Sequence, residues 1–299
     1  MKLALAPIPG YWPKEAVYEF YEAMATAPVD IVYLGETICA RRHALRLEDW
    51  LEIGRSLRKA GKEVILSTPV LPESEAQLMA IRHITQNRDF PVEANDMGAV
   101  RLLAGRGGFV AGLHLNIYNP AALGLMAGLG AKRWVMPLEM NRQDLAGMMA
   151  SIPEGVETEV LGYGRLPLAF SARCFTARHY NLPRDDCRFS CMLHPDGLRL
   201  RTQEAEDFLV INGVQMQSAK VYCLIRELPV LQEMGVNVLR LVPHSEGMPD
   251  IAARYADVLS GHLSPEAGEA ALQPFMPAAP CNGYWHGQSG MAYVQPGLS

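Results

Sequence analysis

DIVYLGETICARRHALRLEDWLEIGRSLRKAGKEVILST, residues 30–68, decides the fold. It opens on a β-prone apolar run, DIVYLG (30–35), and closes on another, EVILST (63–68). Between them, LEDWLEIGRSLRKAG (47–61) repeats its apolar residues at helical spacing. A strand, a helix and a strand in this order read as a parallel pair joined by a helical crossover.

The alternation continues outward in both directions. LALAPI (3–8), PVEA (91–94), FVAGLHLN (109–116), RWVMPL (133–138), VETEVLG (156–162) and VNVLRLV (236–242) complete a set of eight candidate strands. Residues 14–27, 76–87 and 221–235 carry further helical patterns. Eight strands in 299 residues favour an α/β fold of the closed (β/α)8, TIM-barrel-like kind over an open doubly wound sheet. Two stretches break the rhythm. Residues 163–220 follow the seventh strand without an ordinary crossover helix and contain FLVING (208–213), a possible ninth strand. Residues 262–299 form a tail rich in Pro, Ala and Gly. The expected organisation is a barrel domain over 1–261, including a cysteine-bearing loop at 163–207, followed by an irregular tail at 262–299.

Apolar residues make up 49% of the chain, enough for a large core that needs no covalent staples. Pro7, Pro9 and Pro13 interrupt the apolar N-terminus, which reads as no signal peptide, and no apolar run reaches membrane-spanning length. The expected compartment is cytoplasmic, where thiols stay reduced. Structural disulfides therefore explain the six cysteines poorly. A net charge of −5 advertises no nucleic-acid path, although Arg41, Arg42, Arg173 and Arg178 are local basic groups beside cysteines.

Three of those cysteines, Cys174, Cys187 and Cys191, stand as C-x12-C-x3-C in a segment whose Asn181, Pro183, Asp185 and Asp186 favour turns. Thiolates that must converge on one point suit such a loop. Cys39 is the best fourth donor, because it follows DIVYLG and so lies at the carboxyl end of a barrel strand, the face where barrel enzymes place their chemistry. The segment after VETEVLG emerges on the same face. Four thiolates suit zinc or an iron–sulfur cluster. Scattered ligands and four nearby arginines suit the larger, anionic cluster, but the pattern alone leaves iron–sulfur, zinc and unligated thiols open. Cys223, on the apolar side of the 221–235 pattern, reads as core; Cys281 in CNGYWH fits core and site alike.

Other residues carry two readings each. His114 faces substrate or is a hydrogen-bonded structural histidine. Glu139 is a site carboxylate or an exposed loop residue. Asn95 and Asp96 read most simply as an N-cap pair. Arg165 could hold an anionic substrate group or pair structurally. No catalytic residue is assigned. The sequence has no H-E-x-x-H, P-loop, G-x-G-x-x-G or G-x-S-x-G motif.

The run YGRLPLAFSARCFTARHYNLPRDDCRFSC resembles the signature of the collagenase-like peptidase family. LGETICARRHAL, VEANDMGAV, FLVINGVQMQS and CNGYWH resemble its ubiquinone-biosynthesis subgroup, so the likeness spans nearly the whole chain. The resemblance implies a [4Fe–4S] cluster on Cys39, Cys174, Cys187 and Cys191. It implies a heterodimer with the related protein UbiU, and action beside the lipid-binding accessory protein UbiT on a ubiquinone precursor. The implied activity is oxygen-independent ring hydroxylation, with no peptidase activity. Relatives that hydroxylate RNA bases supply an alternative, as does a structural, cluster-bearing scaffold for a catalytic partner.

Overall fold

The computed structural model describes residues 1–295. Seven strands alternate with helices from the N-terminus: β1 (Lys2–Leu5), β2 (Ile31–Leu34), β3 (Glu63–Ser67), β4 (Val92–Ala94), β5 (Phe109–Ala111), β6 (Ala131–Val135) and β7 (Glu157–Phe170). The helices between them are α1 (Lys14–Thr26), α2 (Leu47–Lys59), α3 (Glu75–Gln86), α4 (Met97–Leu103), α5 (Pro120–Leu129) and α6 (Arg142–Met149). After β7 come α7 (Phe175–His179), β8 (Leu198–Arg201), β9 (Asp207–Asn212), β10 (Gln215–Cys223), α8 (Leu228–Glu233), β11 (Val238–Leu241), α9 (Met248–Leu259), α10 (Pro265–Leu272) and β12 (Pro280–Cys281). Neighbours from β1 to β7 pair in parallel, and β11 pairs in parallel with both β7 and β1. The eight-stranded parallel barrel is closed, as the alternation predicts.

The opening βαβ unit shows why. Trp50, Ile53, Gly54 and Leu57 form the buried stripe of α2, with acids in its first turn and Arg58 and Lys59 in its last, matching the helix dipole. Gly54 is needed there, because a Cβ would stand 2.8 Å from the Phe90 ring. Elsewhere, Asn119 caps α5 ahead of Pro120, and Asp96 caps α4 by accepting from Ala99 N at 2.6 Å. Asn95 is no cap. It turns inward, donating from N to Thr68 Oγ1 and from Nδ2 to Thr68 O, both at 3.0 Å.

The barrel interior is charged. Tyr33 on β2 donates to Glu159 Oε2 on β7 at 2.5 Å. Arg240 on β11 meets Glu159 at 2.5 Å and Glu93 on β4 at 2.7 Å, and lies 4.0 Å over the Tyr33 ring. Arg133 on β6 donates to Tyr33 OH and pairs with Glu157 and Glu63. Tyr33–Glu159, Arg240–Glu93, Arg133–Tyr33 and Arg133–Glu63 join strands that are not neighbours, so they cross the barrel. Each carboxylate is matched by a guanidinium, the condition under which buried charge is tolerated.

Three features differ from the sequence reading. β7 runs on for 14 residues, twice the expected length. Its first half completes the barrel; its second half leaves it and pairs antiparallel with β10, which pairs with β9, which pairs with β8. The exit is made by glycines: the β7–β11 register slips around Gly162, and Gly164 has φ +117° with its Cα packed so close to Val242 that a Cβ would stand 2.6 Å away. Residues 221–235 are not one helix. Residues up to Cys223 end β10, and α8 begins only at Leu228, with Pro229 in its first turn. The tail is more regular than expected, with α10 and with β12 parallel to β10. FLVING forms most of β9, as expected.

Candidate functional site

The antiparallel extension stands on the carboxyl-end face of the barrel and carries the cysteine segment. Cys174 is the N-cap of α7, its Sγ accepting from Ala177 N at 3.4 Å. Cys187 closes a 3-10 turn at 184–186, and Cys191 lies in the next one, Ser190–Leu193. Between them Arg188 and Phe189 adopt left-handed backbone, φ 49° and 51°. Neither is glycine, so the turn is strained by about 1–2 kcal/mol per residue. Packing holds it: the Phe189 ring lies 4.9 Å from His43 and 5.8 Å from Tyr11. Both partners belong to loops at the carboxyl ends of β1 and β2.

Cys39 approaches from the loop after β2. Its N–H and that of Ile38 donate to Glu36 Oε1 at 3.0 and 2.9 Å, and its carbonyl accepts from Arg42 N at 2.9 Å. Arg41 Nη2 donates to Asp185 O at 2.6 Å, which fastens this loop against the turn that carries Cys187. All six cysteines are free; Cys187 and Cys191 are buried, Cys39 and Cys174 half-buried.

The electrostatics tie these elements together. Burial pushes the Cys39 thiol up, with Glu36 and Cys174 adding to the rise against Arg42. Burial likewise raises Cys191, opposed by the positive charge of Arg42, while Cys174 and Cys39 raise it further. Three thiols thus share one electrostatic environment, and Cys187 sits one turn from Cys191. Arg42 is enclosed, its side chain 1% exposed, with bonds to Pro9 O at 2.9 Å and Asn212 Oδ1 at 2.6 Å and an ion pair to Glu36 at 3.6 Å. Burial works to lower its pKa, but Glu36, Cys191 and Cys39 together raise it, so it stays charged. Its Nε and that of Arg41 are buried without hydrogen-bond partners.

Among the described residues, no group of three or more His, Cys, Asp or Glu side chains is placed to hold a single metal ion. Four thiolates around one zinc would have to close to single-ion spacing; a cubane keeps its thiolates farther apart. The donor set here, four free thiols from two loops beside an enclosed guanidinium, is of the thiolate kind that suits either group. Of the four arginines read beside the cysteines, Arg42 and Arg41 take part, while Arg173 and Arg178 are exposed. Arg184 was not foreseen. It pairs with Glu73, donates to Ala172 O, and lies within electrostatic range of Cys39 and Cys174.

A second feature sits over the barrel mouth, a cavity of about 60 Å³ whose lining includes Glu93, Asn95, His114, Arg165, Gln215 and Arg240. His114 lies on a 3-10 turn just past β5, its ring edge-on to Phe170 at 5.0 Å. Burial pushes its pKa down to about 4, so the imidazole is neutral. Arg165 lies on the extended half of β7 and donates to the carbonyls of Ser218, at 2.8 Å, and Ala219. Glu139 is exposed and accepts from Tyr118 OH at 2.9 Å, the loop-residue reading. Cys223 and Cys281 are buried away from the four-cysteine segment, on β10 and β12.

A family model described as peptidase family U32 matches residues 16–285. Among solved structures, the chain is similar to the U32 peptidase Mk0906, at 13% identity and a TM-score of 0.46, over 82% of this chain and 94% of that one. It is also similar to the spore coat polysaccharide biosynthesis protein spsE of Bacillus subtilis, at 10% identity and a TM-score of 0.39, over 98% of this chain and 74% of that one.

Proposed function

The chain belongs to peptidase family U32, and from that premise we propose that it is a UbiV-type protein. In this reading it is the iron–sulfur subunit of an oxygen-independent ring hydroxylase of ubiquinone biosynthesis, acting in the cytoplasm with UbiU and the accessory protein UbiT. Peptide hydrolysis is not part of the reading. Its cofactor is a [4Fe–4S] cluster on Cys39, Cys174, Cys187 and Cys191.

The observation that carries the proposal is that the Cys39 loop is fastened to the turn carrying Cys187 by Arg41, which donates to Asp185 O at 2.6 Å, beside the enclosed Arg42. A [4Fe–4S]2+ core on four thiolates has a net charge of −2, and a buried guanidinium whose one carboxylate partner among the described residues is Glu36 would offset part of it. When bound, the cluster would supply one-electron transfer. The chain's own residues hold and orient: Glu36 fixes the Cys39 loop through its two N–H bonds, Arg41 binds that loop to the Cys187 turn, and Phe189 keeps the turn folded. No helix among the described residues is long and apolar enough to cross a membrane.

Anaerobic purification with iron and sulfide assays on wild type and Cys187→Ala tests the cofactor. About four irons and four sulfides, lost in the variant, are expected; one zinc and no chromophore would overturn it. Anaerobic ubiquinone content in a Cys174→Ala strain tests the pathway. It should fall with the cluster, and normal content would sink the assignment.

A further inference from the structure

An amphipathic helix buries its apolar stripe against a neighbour, yet α2 and α3 leave a groove of about 610 Å³ between them. Leu47 and Leu51 of α2 line one side and Ala80 and Ile84 of α3 the other, each pair spaced i, i+4 and so on one side of its helix. The three larger side chains are only half-buried, and Ala80 is exposed. The floor includes Leu34 and Leu66, 0% and 2% exposed. Along α3 the lining runs from Gln77 to Asn87, a span of roughly 15 Å. A mostly apolar hollow of this size with a few polar groups has the character of a small-molecule site. At one end it meets the loop after β2, at Glu36, Ala40 and Arg42. Glu36 Oε1 accepts from Ile38 N and Cys39 N and lies 3.6 Å from Arg42, whereas Oε2 accepts no hydrogen bond among the described residues and the side chain is 20% exposed.

We propose that this groove binds a neutral amphiphile, an apolar chain of roughly ten to twelve carbons bearing a hydroxyl group that donates to Glu36 Oε2. The chain length follows from the span along α3, and the two leucines, Ala80 and Ile84 supply its apolar contacts. The charges select the head. An anionic head would meet Glu36 and also Glu48, which lines the groove and stands in no ion pair among the described residues. A cationic head would meet Arg42, which already balances Glu36 from 3.6 Å away. A hydroxyl donor satisfies the free carboxylate oxygen without opposing either charge. Ala40 follows Cys39 directly, so the bound head would lie beside the Cys39 loop. None of the four site cysteines lines the groove, so the inference stands whether or not the cluster reading does.

The test uses the anaerobically purified full chain and titration calorimetry with 1-decanol, decanoate and decylamine below their micellar concentrations. Saturable decanol binding is expected, with decanoate and decylamine each weaker by roughly tenfold. Ala80→Trp and Leu51→Phe, one on each wall, fill the groove and should each weaken decanol about tenfold, with circular dichroism showing that both variants are folded. Glu36→Gln keeps an acceptor but removes the carboxylate charge, and should bring decanoate to within about threefold of decanol. Decanol that does not bind, or that binds both wall variants as it binds wild type, would overturn the site. Decanoate or decylamine binding wild type as tightly as decanol would overturn the hydroxyl assignment. A wild-type dimer that Ala80→Trp dissociates would mean that a second copy of the chain occupies the groove, which would also overturn it.

Discussion

Arg42 Nη2 donates to Asn212 Oδ1 at 2.6 Å, and through this bond the loop carrying Cys39 is fastened to the last residue of β9. The same guanidinium reaches Pro9 O and Glu36, so three separate chain segments meet on one charge. The site is therefore assembled by a residue that is not itself a donor to the proposed cluster.

Removing that charge should be costly even without cofactor. Arg42→Met would leave the Glu36 carboxylate without its cation and Asn212 Oδ1 without a donor, and would take from Pro9 O one of its two donors, a loss of about 3–5 kcal/mol. Arg42→Lys keeps the charge but cannot span the same partners, and should lose less than half as much. Urea denaturation of the metal-free protein measures both. A methionine variant within 1 kcal/mol of wild type would show that Arg42 is not the assembling residue.

The two cysteines outside the site give the complementary expectation. Cys281 is fully enclosed on β12 and burial pushes its thiol up to about 12, while Cys223, raised to about 11 chiefly by burial, lies near Tyr255 OH at 3.5 Å. Neither would be a thiolate at neutral pH. Cys223→Ala and Cys281→Ala should each cost about 1 kcal/mol as small cavities and leave iron content at the wild-type level. Loss of iron in either variant would redraw the ligand set.

Acid should destabilise the fold through two histidines. Burial holds His114 and His244 near pKa 4, below the unfolded value of about 6.5. Because the unfolded chain takes up the proton first, the stability from keeping them neutral is fully present above pH 6.5 and is lost as pH falls from there toward 4. By pH 5 the loss approaches about 2 kcal/mol per histidine as an upper figure. Melting temperatures of wild type and His244→Gln between pH 5 and 7.5 check this, and parallel curves would remove His244 from the account.

How far the sequence could be read depends on the range of the interaction concerned. Strand and helix identity is local, and the 30–68 stretch states its period plainly. Residues 221–235 misled because apolar residues at helical spacing also suit a buried strand end, and only Pro229 marks where the helix starts. The length of β7 was hidden because Gly162 and Gly164 resemble a turn, whereas they let one strand serve both the barrel and its antiparallel extension. That the Cys39 loop and the 174–191 segment meet on one face was legible from topology. The Arg240–Glu93 pair, 147 residues apart in the chain, and the reach of Arg184 to Glu73, 111 residues away, were not, because nothing local records who faces whom across a barrel mouth.

The left-handed pair between Cys187 and Cys191 separates local strain from site geometry. Arg188 is exposed and makes one long ion pair, to Asp186 at 3.6 Å, so its left-handed backbone gains little from its side chain. Arg188→Gly should remove the steric cost and stabilise the protein by up to about 1 kcal/mol without changing iron content. Phe189 has the same backbone but is anchored between Tyr11 and His43. Phe189→Ala keeps the strain and loses the anchor, costing about 3 kcal/mol, and it should release the Cys187 turn from the Cys39 loop. The expected outcome is a folded protein that retains less than half the wild-type iron after anaerobic gel filtration. Equal retention in both variants would mean that Arg41 and its bond to Asp185 hold the two loops together unaided.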